Sequence, residues 1–122
     1  GIQKQDAHFF LPPYEWYNAT IVKWTTQLGL KLVTFTPGTM SHADYTYPEM
    51  GARYLSSQAI YNSITQYEKK DPNGLNGFIL LIHIGTDPRR TDKFYHKLDQ
   101  LLATLKTKNY HFVKITELLG SE

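Results

Sequence analysis

Five consecutive apolar residues, Phe78-Ile79-Leu80-Leu81-Ile82, end directly on a histidine, His83. The run lacks the polar alternation of a half-solvated strand, so both of its faces are expected to be covered, as in a parallel sheet flanked by helices. It is far too short to cross a bilayer. A strand of this kind constrains the rest of the chain, because parallel neighbours need long crossovers, usually helical. The sequence meets that demand: strand-like runs alternate with helix-like runs throughout, with no internal repeat or low-complexity stretch.

The first strand is expected at residues 8–11, stopped by Pro12-Pro13, which cannot donate to a sheet ladder. Asn18 then caps a helix over residues 19–28, whose apolar positions Ile21, Val22, Trp24 and Leu28 fall mostly on one face, with Gly29 as the C′ residue. Asn18-Ala19-Thr20 also matches a glycosylation sequon, but at a helix start capping is the expected use. A second strand at residues 31–36 gives way at Pro37-Gly38 to a polar, aromatic loop running through Asp44-Tyr45-Thr46-Tyr47 to Pro48. A helix follows over residues 51–69, with Ile60, Ile64 and Tyr67 at i, i+4, i+7, and then turn chemistry at residues 71–77. Beyond the apolar strand, Asp87-Pro88 and Thr91 start another helix, with a stripe of Phe94, Leu98, Leu101, Leu102 and Leu105. A fourth strand at residues 111–115 and a short helical tail at 117–119 complete the pattern.

With 122 residues and an apolar fraction of 41%, one domain or a piece of one is expected. The net charge of +2 is small and scattered, which argues against a nucleic-acid surface. The absence of cysteine removes disulfides, thiolate metal sites and cysteine nucleophiles together. The first six residues have no signal-peptide core, and a soluble chain without a membrane span is expected. Gly1 with no Met suggests a processed or engineered start, with residues upstream in the parent protein.

In parallel α/β architectures the working residues gather at the carboxyl ends of strands. Three loops qualify here: Pro12-Pro13-Tyr14-Glu15-Trp16, the stretch 36–47, and His83-Ile84-Gly85-Thr86-Asp87. The same three places carry a family resemblance. Pro12-Pro13-Tyr14 is similar to the Arg-x-Pro-Tyr motif of polysaccharide deacetylases, the NodB-homology domain, and Leu81-Ile82-His83 resembles that family's final Leu-x-His motif. Ala43-Asp44-Tyr45 stands where the family has Asp-x-x-Asp-Trp, with Tyr45 in place of Trp. In order and spacing, the resemblance covers residues 8–119.

What the resemblance implies is metal-assisted hydrolysis of an N- or O-acetyl group from a sugar, by parallel βα units forming part of a deformed (β/α)7-type barrel. His83 would be the general acid that protonates the leaving amine or alkoxide, and imidazole suits the task because it titrates near about 6.5. A neighbouring carboxylate would favour its charged form. Leu81, on the same side of the strand by the two-residue period, would line the acetyl pocket. The backbone N–H of Tyr14 would help the metal hold the oxyanion. Read from the residues themselves, Trp16, Tyr17, Tyr45 and Tyr47 could stack on sugar rings or simply pack, and Asp44 could bind sugar hydroxyls or face solvent.

Two motifs of that machine are missing, an adjacent Asp pair and a His-x-x-x-His pair, and Leu11 replaces the motif's Arg, with which the family's middle Asp pairs. His42-Ala43-Asp44 offers two ligands where a catalytic zinc takes three, so no metal is assigned to this chain; a divalent metal, zinc by expectation, belongs to the complete domain. The chain is accordingly expected to be the carboxyl-terminal portion of a bacterial cell-envelope or secreted deacetylase, inactive without the upstream half. The competing expectation is a non-catalytic carbohydrate-binding or interaction module. A part-barrel leaves strand edges and apolar surface uncovered, so the isolated chain is expected to be a homo-oligomer. Arg89-Arg90, beside Gly85-Thr86, is expected to be a solvated face rather than a phosphate site.

Overall fold

The computed structural model describes residues 3–120. The chain forms two compact units: residues up to 35 together with those from 115 onward, and residues 36–114.

The first unit is a βαβ element. Strands β1 (Phe9–Phe10) and β2 (Lys31–Leu32) pair in parallel, with Phe9 opposite Lys31 and Phe10 opposite Leu32. Parallel neighbours need a crossover, and helix α1 (Ala19–Gln27) supplies it. As the sequence predicts, Asn18 caps α1: its side-chain oxygen accepts the Ile21 N–H at 3.0 Å. Gly29, at φ +75°, ends the segment in the left-handed conformation of a C′ residue. The expected inward face of α1 is a different matter. Thr25 is its buried residue, while Val22, Leu28 and Trp24, the last 60% exposed, face solvent. Two strands of two residues each offer too little surface to cover that stripe. The short helix α4 (Ile115–Leu119) takes the place of the fourth strand's end, and Lys31 Nζ donates to the carbonyls of Leu119 and Gly120 at 3.2 and 2.8 Å.

The second unit carries the main core. Helix α2 (Ser57–Lys70) contributes Ile60 and Ile64, and helix α3 (Leu98–Thr107) contributes Leu101 and Leu105. Phe94, from the 3₁₀ turn Phe94–Lys97, and Leu75 complete the cluster. The spacing of four within each helix is what puts each pair on one face. Helix α2 starts later than its periodicity predicts. Residues 48–53 form a 3₁₀ turn interrupted at Gly51, and the helix begins where Ser56 Oγ accepts the Ala59 N–H at 3.1 Å.

The apolar run at residues 78–82 does not form the expected fully covered strand. Phe78, Leu80 and Ile82 pack on the core, and each position of the run is half-buried. Its tie to the preceding segment is a pair of bonds: Thr36 N–H donates to the Ile79 carbonyl at 2.9 Å, and Ile79 N–H donates to Thr36 Oγ1 at 3.0 Å. A hydroxyl stands where a ladder would have a carbonyl, so regular pairing stops there. Residues 111–114 are exposed and form no strand. Gly74 is required by its turn, because at φ +58° an added Cβ would lie 2.1 Å from Tyr110 Oη.

The architecture is therefore mixed α/β with a small parallel two-stranded sheet. Among the described residues, no helix is long and apolar enough to cross a membrane.

Candidate functional site

Two of the three loops expected to carry chemistry meet in the second unit. Asp44 sits in the 3₁₀ turn Ser41–Tyr45, which is closed by Thr46: its N–H and its hydroxyl both donate to the Ala43 carbonyl, at 3.0 and 2.7 Å. The Met40 N–H donates to Ser63 Oγ of α2 at 3.1 Å, which fastens the turn to the helix. Small side chains at Ser41 and Ala43 let the turn approach closely, and both are buried. Asp44 is consequently only 1% exposed.

His83 follows the run whose residues 78, 80 and 82 face the core, and by the two-residue alternation Leu81 and His83 share the other side. There the ring meets Asp44. Nδ1 lies 2.7 Å from Asp44 Oδ1, and the His83 backbone N–H donates to Asp44 Oδ2 at 2.6 Å. An ionised carboxylate only accepts, so Nδ1 carries the proton and Nε2 is left to exchange one with a ligand. The His83 side chain is 37% exposed, which leaves it reachable. The ring of Tyr45 stands edge-on to the imidazole, 5.9 Å between centroids. A carboxylate, an oriented imidazole and an aromatic wall form an arrangement able to deliver or accept a proton beside an apolar or sugar face.

Asp44 does not face solvent: both of its oxygens are engaged by His83 and it is buried, a geometry suited to orienting the ring.

The segment leaving His83 is heavily tied. Lys93 Nζ donates to the Thr86 carbonyl, Thr86 Oγ1 and the Asp87 carbonyl at 3.1, 2.7 and 2.9 Å. Arg89 forks onto Asp87 and its guanidinium lies 3.9 Å above the Tyr47 ring. The hydrogen bond from the Arg89 side chain holds the Asp87 carboxyl at about 2 and pushes the guanidinium further up. Arg90 does not join Arg89 on a solvated face, as the sequence led us to expect. It is fully buried, donating through Nη1 to the carbonyls of Thr46 and Leu55 and through Nη2 to Ser57 Oγ. Beside it, Asp92 accepts the Ser57 N–H at 2.5 Å and the Tyr54 hydroxyl at 3.4 Å. Burial opposes the Asp92 charge, but these donors and the nearby Arg90 outweigh it and hold its carboxyl below the usual carboxylate range. Nothing in the local sequence says that an Arg after Asp-Pro-Arg turns inward, so the buried Arg90–Asp92 network was not legible.

The third loop belongs to the first unit. Pro12 is buried, and the prolines at 12 and 13 have fixed φ, so the chain reverses through Tyr14 and Glu15, at φ +56° and +54°. Two successive non-glycine residues in the left-handed region store on the order of 1 kcal/mol or more each. The turn bonds the Glu15 N–H to Pro12 O at 3.0 Å and the Trp16 N–H to Pro13 O at 3.2 Å; the Tyr14 N–H takes no part in either bond. The side chains of Tyr14 and Trp16 are 91% and 83% exposed.

Among the described residues, no three or more His, Cys, Asp or Glu side chains converge as metal ligands. The acid and imidazole that do meet, Asp44 and His83, are two groups where a catalytic zinc takes three protein ligands. In comparisons with known proteins, the chain matches no family model and no curated relative.

Proposed function

We propose that this chain is the carboxyl-terminal part of a metal-dependent polysaccharide deacetylase, a hydrolase of N- or O-acetyl groups on carbohydrate. The observation that carries the reading is the His83–Asp44 pair: a half-exposed imidazole whose Nδ1 is locked by a buried carboxylate, at the end of an apolar run. That is the equipment of a general acid for a departing amine or alkoxide. Asp44 holds the ring and His83 Nε2 hands over the proton. Leu81 shares the His83 side of the run and borders the acetyl methyl, while Tyr45 borders the sugar. In the first unit, the Tyr14 N–H lies outside its turn's hydrogen bonds and is suited to an oxyanion.

The complete domain in this proposal is a (β/α)7-type barrel in which the upstream half holds the divalent metal. Its setting is the cell envelope or exterior of a bacterium, where acetylated polysaccharide is found. The test is acetate release from acetylated oligosaccharides by the parent protein and its His83→Ala variant. A fall of about 10²- to 10⁴-fold is expected from loss of a general acid; unchanged turnover removes His83 from the mechanism.

A second reading, a carbohydrate-binding module without catalysis, is favoured by the solvent-facing rings of Tyr14 and Trp16. Calorimetric titration with oligosaccharides separates the two. Binding that falls on Trp16→Ala replacement, together with no turnover by the parent protein, supports the module.

A further inference from the structure

We propose that Arg90 is a positioning residue for the His83–Asp44 pair, acting as the second of two ties between the same two segments. The inference deepens the deacetylase reading by adding a residue through which its acid is set.

The connectivity carries it. One segment runs from His83 to Arg90, and the other carries Asp44 and, two residues later, Thr46. At one end His83 is held by Asp44 through the ring and the backbone N–H. At the other end Arg90 Nη1 donates to the Thr46 carbonyl. The two bonds close a ring through the chain, so the approach of Asp44 to His83 is fixed from both sides. Thr46 is itself a junction: its hydroxyl donates to the Ala43 carbonyl at 2.7 Å and accepts the Leu55 N–H at 3.2 Å. Whatever holds Thr46 therefore holds the turn that presents Asp44.

Arg90 is unusually placed for a residue with no positioning task. A buried guanidinium is expensive unless its donors and charge are matched. Here Nη1 also reaches the Leu55 carbonyl at 3.0 Å, Nη2 reaches Ser57 Oγ at 3.1 Å, and the Tyr54 ring lies 5.5 Å from the guanidinium carbon, while the buried Nε has no hydrogen-bond partner among the described residues. Asp92, two residues on, binds the Ser57 N–H and so places a negative charge within the same network. A planar fork is what spans two carbonyls and a hydroxyl at once; an ammonium on a flexible stem does not reproduce it.

The experiment is ¹⁵N NMR of the His83 imidazole in the full chain, wild type against Arg90→Lys, Arg90→Met and Ser57→Ala, with cooperative urea unfolding as the check on folding. In the wild type the Nδ1–H form should dominate. Arg90→Met is expected to lose the hydrogen-bonded Nδ1 proton signal and to populate the Nε2–H form, Arg90→Lys to do so partially, and Ser57→Ala to do so least. A folded Arg90→Met chain with the wild-type imidazole signature overturns the proposal. If neither Arg90 variant folds, Ser57→Ala decides it: a shift toward the Nε2–H form supports the tie, and an unchanged signature overturns it. These spectra are independent of turnover, so a wild-type signature in the variants sinks this inference alone. An intact pair in a parent protein without deacetylase activity sinks the functional reading alone.

Discussion

The Asp44 carboxylate holds His83 twice, taking the imidazole Nδ1 on one oxygen and the backbone N–H on the other. Two contacts from one buried group fix both the position and the rotation of the ring. Asp44→Ala removes both and leaves the His83 N–H unpaired, so urea unfolding should show a loss of about 1–3 kcal/mol. Asp44→Asn should cost less stability but mix the imidazole tautomers in ¹⁵N NMR, because an amide presents a donor as well as an acceptor. An Asp44→Asn spectrum identical to wild type would show that the carboxylate does not set the ring.

Acid stability should follow Asp92. Its folded-state pKa is depressed below the unfolded value, so its contribution is fully present above the unfolded pKa and is lost as pH falls through the folded one. Asp92→Asn keeps an acceptor for the Ser57 N–H but no charge, and should be about 1 kcal/mol less stable at neutral pH. The gap between variant and wild type should narrow as pH drops below about 4. A gap independent of pH, in parallel urea titrations, would contradict the assignment.

The two units should respond differently to loss of an aromatic ring. Phe94 is buried in the core cluster, so Phe94→Ala is expected to cost about 3–5 kcal/mol. Trp24 is largely exposed on α1, so Trp24→Ser should change stability by no more than about 0.5 kcal/mol. Its effect should appear in sedimentation instead. Uncovered apolar side chains at Val22, Trp24 and Leu28 favour self-association, and the substitution should shift the isolated chain toward monomer. A wild-type chain that is a clean monomer at micromolar concentration would count against the part-barrel proposal.

Gly74→Ala should destabilise by about 1–3 kcal/mol, since it combines an unfavourable φ with a collision on the Tyr110 hydroxyl. Tyr110→Phe removes the oxygen, which the Leu75 N–H uses as acceptor at 2.9 Å. The double variant should therefore be less destabilised than the sum of the singles, a coupling measurable in a double-mutant cycle.

Local signals in the sequence placed α1 and the inward faces of α2 and α3, but set the starts of α2 and α3 too early, at residues 51 and 87–91, and made the strands too long. Asn18 and Gly29 bracket α1 because capping and left-handed termination depend on neighbours in the chain. Ile60 and Ile64 lie inward because helical periodicity is also local. Strand formation depends on a partner, and the runs at 78–82 and 111–115 had strand-like composition without one to complete a ladder. The same reason hid the inward turn of Arg90, which is held by carbonyls 44 and 35 positions away. His83 was legible because an imidazole closing an apolar run stands out, but its partnership with Asp44, 39 residues earlier, was not.

In the proposed reaction His83 gives a proton to the leaving group, and a comparison of leaving groups tests that role. Turnover of the parent protein and its His83→Ala variant would be measured on an acetylated oligosaccharide and on an activated aryl acetate, whose phenolate departs without protonation. With His83 as the acid, a loss of about 10²- to 10⁴-fold is expected on the sugar and little loss on the aryl ester. Equal losses on both substrates, or none on the sugar, would contradict it.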